Sequence, residues 1–402
     1  MAQALARERL ASLVFNFNSA YMRILITGGA GFIGSHTAEA LLARGYDVRL
    51  LDSLEPPVHV GGWPAYLPAE FERMRGDVRD PDAVAKALAG VDVVYHLAAY
   101  QDYLPDFSRF INVNAASTAL IYEIIVSQGL PVRKVIVASS QAVLGEGLYH
   151  CPNHGQVLPD SRSREQLEAG LWDLPCPHCQ AAMTPVPATE LVGNPQNPYG
   201  ISKQCQERIA IHLGRRYGIP TVALRYSIVQ GPRQSFRNAY SGACRVFSLS
   251  CYQKRQPIVY EDGRQLRDFV NIQDVVAANL LVLDRPQADY QVFHVGGGTH
   301  YTVLQFARIV ADAYGMEFAP VLDGRFRFGD TRHAISDISG IRALGWQPKV
   351  PAAESVRQYR EWLLSEVPAT DIVGESQERM KKLGVIGYAV RSEGTPPGQS
   401  QA

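Results

Sequence analysis

Tyr199 and Lys203 form a Tyr-x-x-x-Lys pair well downstream of the glycine run Gly28-Gly29-Ala30-Gly31-Phe32-Ile33-Gly34. On a helix, positions i and i+4 share a face, so a phenol and an ammonium so spaced can serve one site. A phenol titrates near pH 10 and is a poor base at neutral pH, at about three units below that value. A neighbouring cation favours the phenolate and makes it a usable proton acceptor. Taken alone, such a pair is most often a solvent-facing feature of a helix; the glycine run changes its meaning. Glycines let a backbone turn sharply and approach a pyrophosphate, and the following helix N-terminus offers N–H groups and partial positive charge. A proton acceptor beside a bound dinucleotide is equipped for hydride transfer.

These groups need a scaffold, and the N-terminal half supplies a rhythm for one. Apolar runs at 24–27, 48–51, 71–75, 91–97, 135–138 and 222–225 alternate with helical stretches at 32–43, 82–88, 108–128 and from Pro198 to about Tyr217. Continuous apolar strands alternating with helices imply a parallel sheet covered on both faces. The glycine run lies between the first strand and the first helix, where a dinucleotide motif belongs. Asp52 closes the second strand, about 20 residues further on, placed to accept hydrogen bonds from ribose hydroxyls and to repel a 2′-phosphate. NAD is therefore favoured over NADP. Asp77-Val78, after the third strand, suits either an adenine contact or a turn that caps the next helix. Leu97, Ala98 and Ala99 form a small-residue patch at a strand end, where a cofactor can lie close to the backbone.

Two stretches break the rhythm. Residues 146–193 are rich in Pro, Cys and His and lack a period. A segment so long and irregular needs its own stabiliser. Cys151-Pro-Asn-His154 and Cys176-Pro-His-Cys179 are two knuckle-like pairs, a donor set that suits tetrahedral, structural zinc. Reduced thiols without metal and a disulfide remain as alternatives, the latter leaving one cysteine odd. Beyond about residue 364 the chain turns polar, and the end reads as a partly disordered tail. Residues 1–21 precede the first strand and read as an extension.

The whole chain has 402 residues, with Lys plus Arg and Asp plus Glu balanced at 39 each. That balance supplies no electrostatic platform for nucleic acid or anionic lipid. The composition, with 46% hydrophobic residues, suits a globular enzyme. No apolar run is read as reaching the roughly 20 residues of a membrane span, so the expected location is the cytoplasm.

In order and spacing, residues 27–34, Asp77-Val78, His96-Leu97-Ala98-Ala99, Ser139-Ser140, Tyr199-Gly200-Ile201-Ser202-Lys203, Leu224-Arg225-Tyr226, Gly231-Pro232-Arg233-Gln234 and Arg267-Asp268-Phe269-Val270 resemble the extended short-chain dehydrogenase/reductases. The resemblance covers 22 to about 364 and is strongest for the nucleotide-sugar epimerase branch. The cysteine-bearing insertion and residues 227–236 most resemble the dTDP-L-rhamnose 4-epimerases. The resemblance implies a Rossmann-type doubly wound α/β domain at 22–225, carrying the insertion at 146–193 as a zinc-knuckle-like unit. A smaller α/β nucleotide-sugar lobe at 226–364 comes next, with about 269–290 returning to the first domain, then a tail at 365–402. It assigns catalysis to Ser140, Tyr199 and Lys203. NAD contacts fall to Gly28, Gly31, Phe32, Ile33, Gly34, Asp52, Asp77, Val78, Leu97, Ala98, Ala99, Asn114, Tyr199 and Lys203. Arg233, Asn238, Arg267 and Arg332 are substrate candidates, with Tyr240 beside them, and Cys151, His154, Cys176 and Cys179 are the metal candidates.

The implied activity is inversion at C4 of a nucleotide sugar through a transient 4-keto sugar, with tightly held NAD. A 4-ketoreductase of the same superfamily is the nearest alternative, and a non-catalytic dinucleotide sensor the more distant one. Dehydratases of the family place Asp-Glu after the catalytic Ser or Thr; Gln141-Ala142 stand here and cannot act as general acid or base. Ile228, Leu144 and Gln230 also depart from the branch, replacing an Asn and two tyrosines. The branch commonly forms homodimers through a four-helix contact, here the helix at 108–128 and the one starting at Pro198.

Overall fold

Seven parallel strands form the main sheet, ordered Gln291–Val295, Thr221–Tyr226, Lys134–Ser140, Val93–His96, Arg23–Thr27, Asp47–Asp52 and Glu72–Arg75. The computed structural model describes residues 22–238, 242–366, 378 and 380–390. The extension 1–21, Tyr240 and the rest of the 365–402 tail lie outside the described residues. From the central strand Arg23–Thr27 the chain winds outward in one direction, then crosses back to Val93–His96 and winds in the other. The reversal opens a crevice at the strand C-terminal ends, where open α/β sheets bind ligands.

The central strands are apolar on both faces because both faces are covered. Ile24, Ile26, Leu50 and Ile136 face a core shared with helices Phe32–Leu42 and Ile272–Leu283. Leu25, Leu51, Val94 and Val135 face a second core with helices Pro81–Leu88, Ser117–Ser127 and Pro198–Tyr217. Each such fully buried side chain contributes about 1.5–3 kcal/mol of transfer free energy.

The second half builds a smaller lobe. Strands Ile228–Gln230, Leu266–Asn271 and His300–Thr302 form a mixed sheet. Helices Ala243–Tyr252, Val303–Ala313 and Ala352–Glu366 complete its core, in which Phe269 stacks on Phe306 at 3.9 Å. The return to the main sheet runs through Ile272–Leu283 and Gln291–Val295. The insertion has more regular structure than its sequence signals. Leu148–Cys151 lies antiparallel between Gly155–Val157 and Thr184–Val186.

Two expectations change. Phe107–Ser127 is a continuous helical stretch, with a π-helical turn at Ile111–Ala116, that is long and apolar enough to cross a membrane. More than half of its most apolar window is buried in the fold, as suits a core helix. Within the polar stretch read as a tail, Ile386–Tyr388 pairs antiparallel with Arg325–Arg327, and Met380 is buried.

Candidate functional site

Asn197 caps the helix Pro198–Tyr217 by accepting from the Gly200 N–H at 2.8 Å, and this cap sets where Tyr199 enters the fold. Gly200 lets the helix press on the turn Gln141–Leu144: a Cβ there would lie 2.5 Å from the Ala142 carbonyl oxygen. That close approach puts Tyr199 beside Ser140, whose hydroxyl ends the strand Lys134–Ser140 and accepts from the Ala142 N–H at 3.1 Å. Tyr199 and Ser140 both line one large cavity of about 1020 Å³. Lys203 lies one turn deeper, its Nζ donating to Ala138 O at 2.8 Å and Gln206 Oε1 at 2.9 Å, and 5.9 Å from the Tyr199 ring centroid.

Burial pushes the Tyr199 phenol up to about 12, against the hydrogen bond with Ser140, which lowers it. Burial pulls Lys203 down to about 7, although the Glu207 carboxylate favours its ammonium. In the protein alone, then, the lysine does not make the phenol acidic. Its charge is itself weakened by desolvation, which the spacing in sequence could not register.

The cofactor candidates divide by position. Gly28, Gly31, Phe32, Ile33, Gly34 and Leu97 line the cavity. Gly28 has φ of +69°, and a Cβ on it would meet Ala98 N at 2.7 Å, so the loop closes directly on the 97–98 backbone. The helix Phe32–Leu42 starts at Gly31 without a side-chain cap, and its first residues line the cavity. Asp52 accepts from Ala30 N at 3.0 Å and Leu54 N at 2.9 Å, so the same carboxylate that suits a ribose also fixes the glycine loop. An uncapped helix start, a glycine turn and a carboxylate at the second strand end fit a dinucleotide's pyrophosphate and ribose.

Other candidates are occupied within the protein. Asp77 is paired to Arg79 through both carboxylate oxygens, which holds its pKa below the usual range, and the next helix is capped by Asp80 instead. Val78 is buried in the second core. Ala98 donates its N–H to Thr27 Oγ1 at 3.2 Å, and neither it nor Ala99 is among the cavity-lining residues. Asn114 binds Tyr100 N and O at 2.8 and 3.0 Å and donates to Ser202 Oγ at 2.9 Å. Its amide therefore holds the loop after Leu97 against the Tyr199 helix.

Among the substrate candidates, Arg267, Arg233 and Asn238 line the cavity. Arg267 donates to the carbonyls of Leu266, Thr331 and Arg332. Its hydrogen-bond partners are thus neutral carbonyls, unlike those of Arg332. Arg233 instead pairs with Glu39 at 2.9 Å and lies over the Tyr66 ring at 4.2 Å. Arg332 does not line the cavity. It is fully buried and bonded to Asp173, Glu261 and Asp262, so three carboxylates consume the charge expected to meet substrate. Of the branch departures, only Ile228 lines the cavity; Leu144 packs in a small apolar cluster with Leu148, Ala188 and Val192.

Residues not assigned to the site from sequence are also present. Arg327 lines the cavity, 5.1 Å from the Tyr103 ring and 5.4 Å from the Tyr260 ring. Gln141 and Gln234 line it with buried amide oxygens that lack a hydrogen-bond partner among the described residues. Orphan buried acceptors of this kind are what a hydroxylated ligand satisfies. For Gln141 the available signal was its place after Ser140; Arg327 carried none.

In the insertion, Cys151, His154, Cys176 and Cys179 converge, with all four donor atoms within 4.8 Å of one another. Cys151 Sγ is 3.7 Å from both Cys179 Sγ and His154 Nδ1, and Cys176 Sγ is 3.6 Å from that nitrogen. Ligands bound tetrahedrally to zinc stand about 3.8 Å apart for two sulfurs and about 3.6 Å for sulfur and nitrogen. The sulfurs are too far apart to be bonded, and all three cysteines are free.

Comparison with known proteins agrees with this geometry. The model of the NAD dependent epimerase/dehydratase family matches residues 24–164 and 178–296. A dTDP-L-rhamnose 4-epimerase of Burkholderia thailandensis is 35% identical over 352 residues, covering 86% of this chain and 96% of that protein. A putative UDP-glucose 4-epimerase of Methanocaldococcus jannaschii is 29% identical, covering 85% and 98%. Among solved structures, the UDP-glucose 4-epimerase of Thermus thermophilus in complex with NAD superposes with a TM-score of 0.68 at 26% identity, covering 86% of this chain and 100% of that one. The Thermotoga maritima UDP-glucose 4-epimerase with UDP-glucose gives 0.69 at 26%, covering 86% and 99%. With a family model matching more than half its length, and a phenol, a serine and a glycine loop sharing one cavity, the chain belongs to the NAD dependent epimerase/dehydratase family of enzymes.

Proposed function

We propose that this enzyme is an NAD-dependent nucleotide-sugar 4-epimerase, acting on a dTDP-6-deoxyhexose such as dTDP-L-rhamnose. The observation that carries the reading is Tyr199 beside Ser140 on the wall of a cavity that also holds the glycine loop and Arg267. Bound NAD, which the glycine loop 28–34 and Asp52 would hold, would supply the hydride acceptor and donor for the sugar's C4. Ser140 holds the C4 hydroxyl oxygen. Tyr199, as phenolate, takes the hydroxyl proton while the C4–H bond breaks, leaving a 4-keto sugar. After the sugar turns its other face, Tyr199 returns the proton to the oxygen as hydride comes back to C4. Arg267, with Arg327, grips the diphosphate throughout, so the keto intermediate stays bound. Gln141 offers no acid for elimination, which favours this reading over a dehydratase. The dTDP-L-rhamnose substrate is suggested by the Burkholderia thailandensis relative.

The test is a panel of dTDP- and UDP-sugars incubated without added cofactor and resolved by NMR. Epimer pairs are expected; stoichiometric consumption of added NAD(P)H would instead identify a 4-ketoreductase. Asp52→Ala should weaken NAD retention about 10- to 100-fold, the worth of hydrogen bonds to a charged group, as read by nucleotide released on denaturation.

Cys151, His154, Cys176 and Cys179 would hold one structural zinc ion; the spacing of their donor atoms supports this. Four protein ligands leave no open position for chemistry. Purified protein should contain about one zinc per chain, and Cys176→Ser should lose it and melt at lower temperature, as measured by elemental analysis and calorimetry. A homodimer through the helices Phe107–Ser127 and Pro198–Tyr217 belongs to the same reading, supported by exposed Ile111, Val126 and Ile201. So does a cytoplasmic location.

A further inference from the structure

We infer that residues 380–390 are part of the substrate site and form the wall that receives the nucleoside. This rests on the proposed nucleotide-sugar chemistry. Met380, Leu383, Gly384 and Val385 line the same cavity as Tyr199 and Arg267. The segment is fixed there by backbone contacts at several points. Ile386–Tyr388 pairs with Arg325–Arg327, with Ile386 opposite Arg327 itself. Phe328 N donates to Val385 O at 2.9 Å, and Ala389 N to Gly324 O at 2.9 Å. On the insertion side, Val390 N donates to Glu168 O at 2.8 Å, and Arg164 reaches Gly384 O at 3.4 Å. The segment therefore bridges the lobe and the insertion helix Arg164–Glu168 across one end of the cavity.

The linear order of the ligand decides which part meets this wall. The reacting sugar carbon must lie at Ser140 and Tyr199, and the diphosphate at Arg267 and Arg327. The nucleoside is attached beyond the diphosphate, and the paired segment lies directly beside Arg327, with Ile386 in register with it. Its cavity-facing residues are of the right kind: Met380, Leu383 and Val385 are apolar, and the Tyr260 ring lines the same cavity. Apolar and aromatic surfaces bury a base, while the sugar and phosphates need the polar groups found elsewhere. Phe328, whose N–H binds Val385 O, lines the cavity beside them.

The experiment measures binding of free dTDP and UDP by calorimetry to the NAD-loaded full chain, alongside NAD content, a thermal melt and the KM for the active sugar nucleotide. Leu383→Ala together with Val385→Ala should weaken nucleoside diphosphate binding about tenfold, the order expected for truncating apolar contacts at a ligand. KM should rise in parallel, with kcat changed less than about threefold and NAD content unchanged. Leu383→Trp, which removes no packing, should obstruct the nucleoside and weaken binding at least as much. If the wild type binds neither nucleotide, the nucleotide-sugar reading itself fails. If the wild type binds one and both folded variants bind it equally well, the wall is not where the nucleoside lies and this inference is overturned.

Discussion

Tyr199→Phe should lower turnover about 1000-fold, within the span of general acid–base contributions, while NAD content stays unchanged. The phenol oxygen is the only atom removed. It lies beside Ser140 on the cavity wall, and burial pushes its pKa to about 12 in the protein alone. A neutral phenol cannot accept the sugar proton, so turnover requires the site to favour the phenolate when loaded. The Ser140 hydroxyl contributes, because its hydrogen bond already lowers the phenol. Phenylalanine keeps the ring packing and leaves the glycine loop untouched, so a fall in rate without loss of NAD separates chemistry from binding. Initial rates by NMR and nucleotide released on denaturation measure the two. A dinucleotide sensor without catalysis would show no change.

Lys203→Met should cost about 100-fold at neutral pH and move the rising limb of the pH–rate profile to higher pH. The sign is set by charge. A cation near an acid favours the acid's deprotonated form, so removing it raises the phenol's pKa and delays the limb. In the free protein burial pulls Lys203 to about 7, so its ammonium fades as pH rises through neutrality, the range in which the phenol most needs it. Lys203→Arg, which stays charged, should keep the limb nearer its wild-type position than Lys203→Met does. A purely structural lysine would lower the rate in both variants without moving the limb. The pH dependence of kcat/KM across the three proteins is the measurement.

The main sheet was legible because its strands are continuous apolar runs such as 24–27 and 135–138, and burial on both faces forces that composition. The closeness of Tyr199 and Lys203 was legible because helix geometry fixes i and i+4 together. Arg332 misled because an arginine near a motif carries no mark of its partners. Its carboxylates come from Asp173 in the insertion and from Glu261 and Asp262 in the lobe, which only the folded chain brings together. Arg327 and the 380–390 segment were missed for the reverse reason. A three-residue strand in a polar stretch has no period to detect, and its pairing partner is distant in sequence. Asn114 was found, but its amide is spent on Tyr100 and Ser202, so its influence on the site is exerted through the loop it holds. The cysteine pairs showed the donor set, and the fold brings the four donor atoms within 4.8 Å of one another.

The most direct test uses dTDP-L-rhamnose, or the sugar nucleotide found active, deuterated at C4 and incubated with the purified enzyme without added cofactor. If one hydride leaves C4, waits on the enzyme and returns to the opposite face, the epimer formed retains deuterium at C4 in ordinary water. An epimer whose C4 carries a proton drawn from solvent would contradict the account.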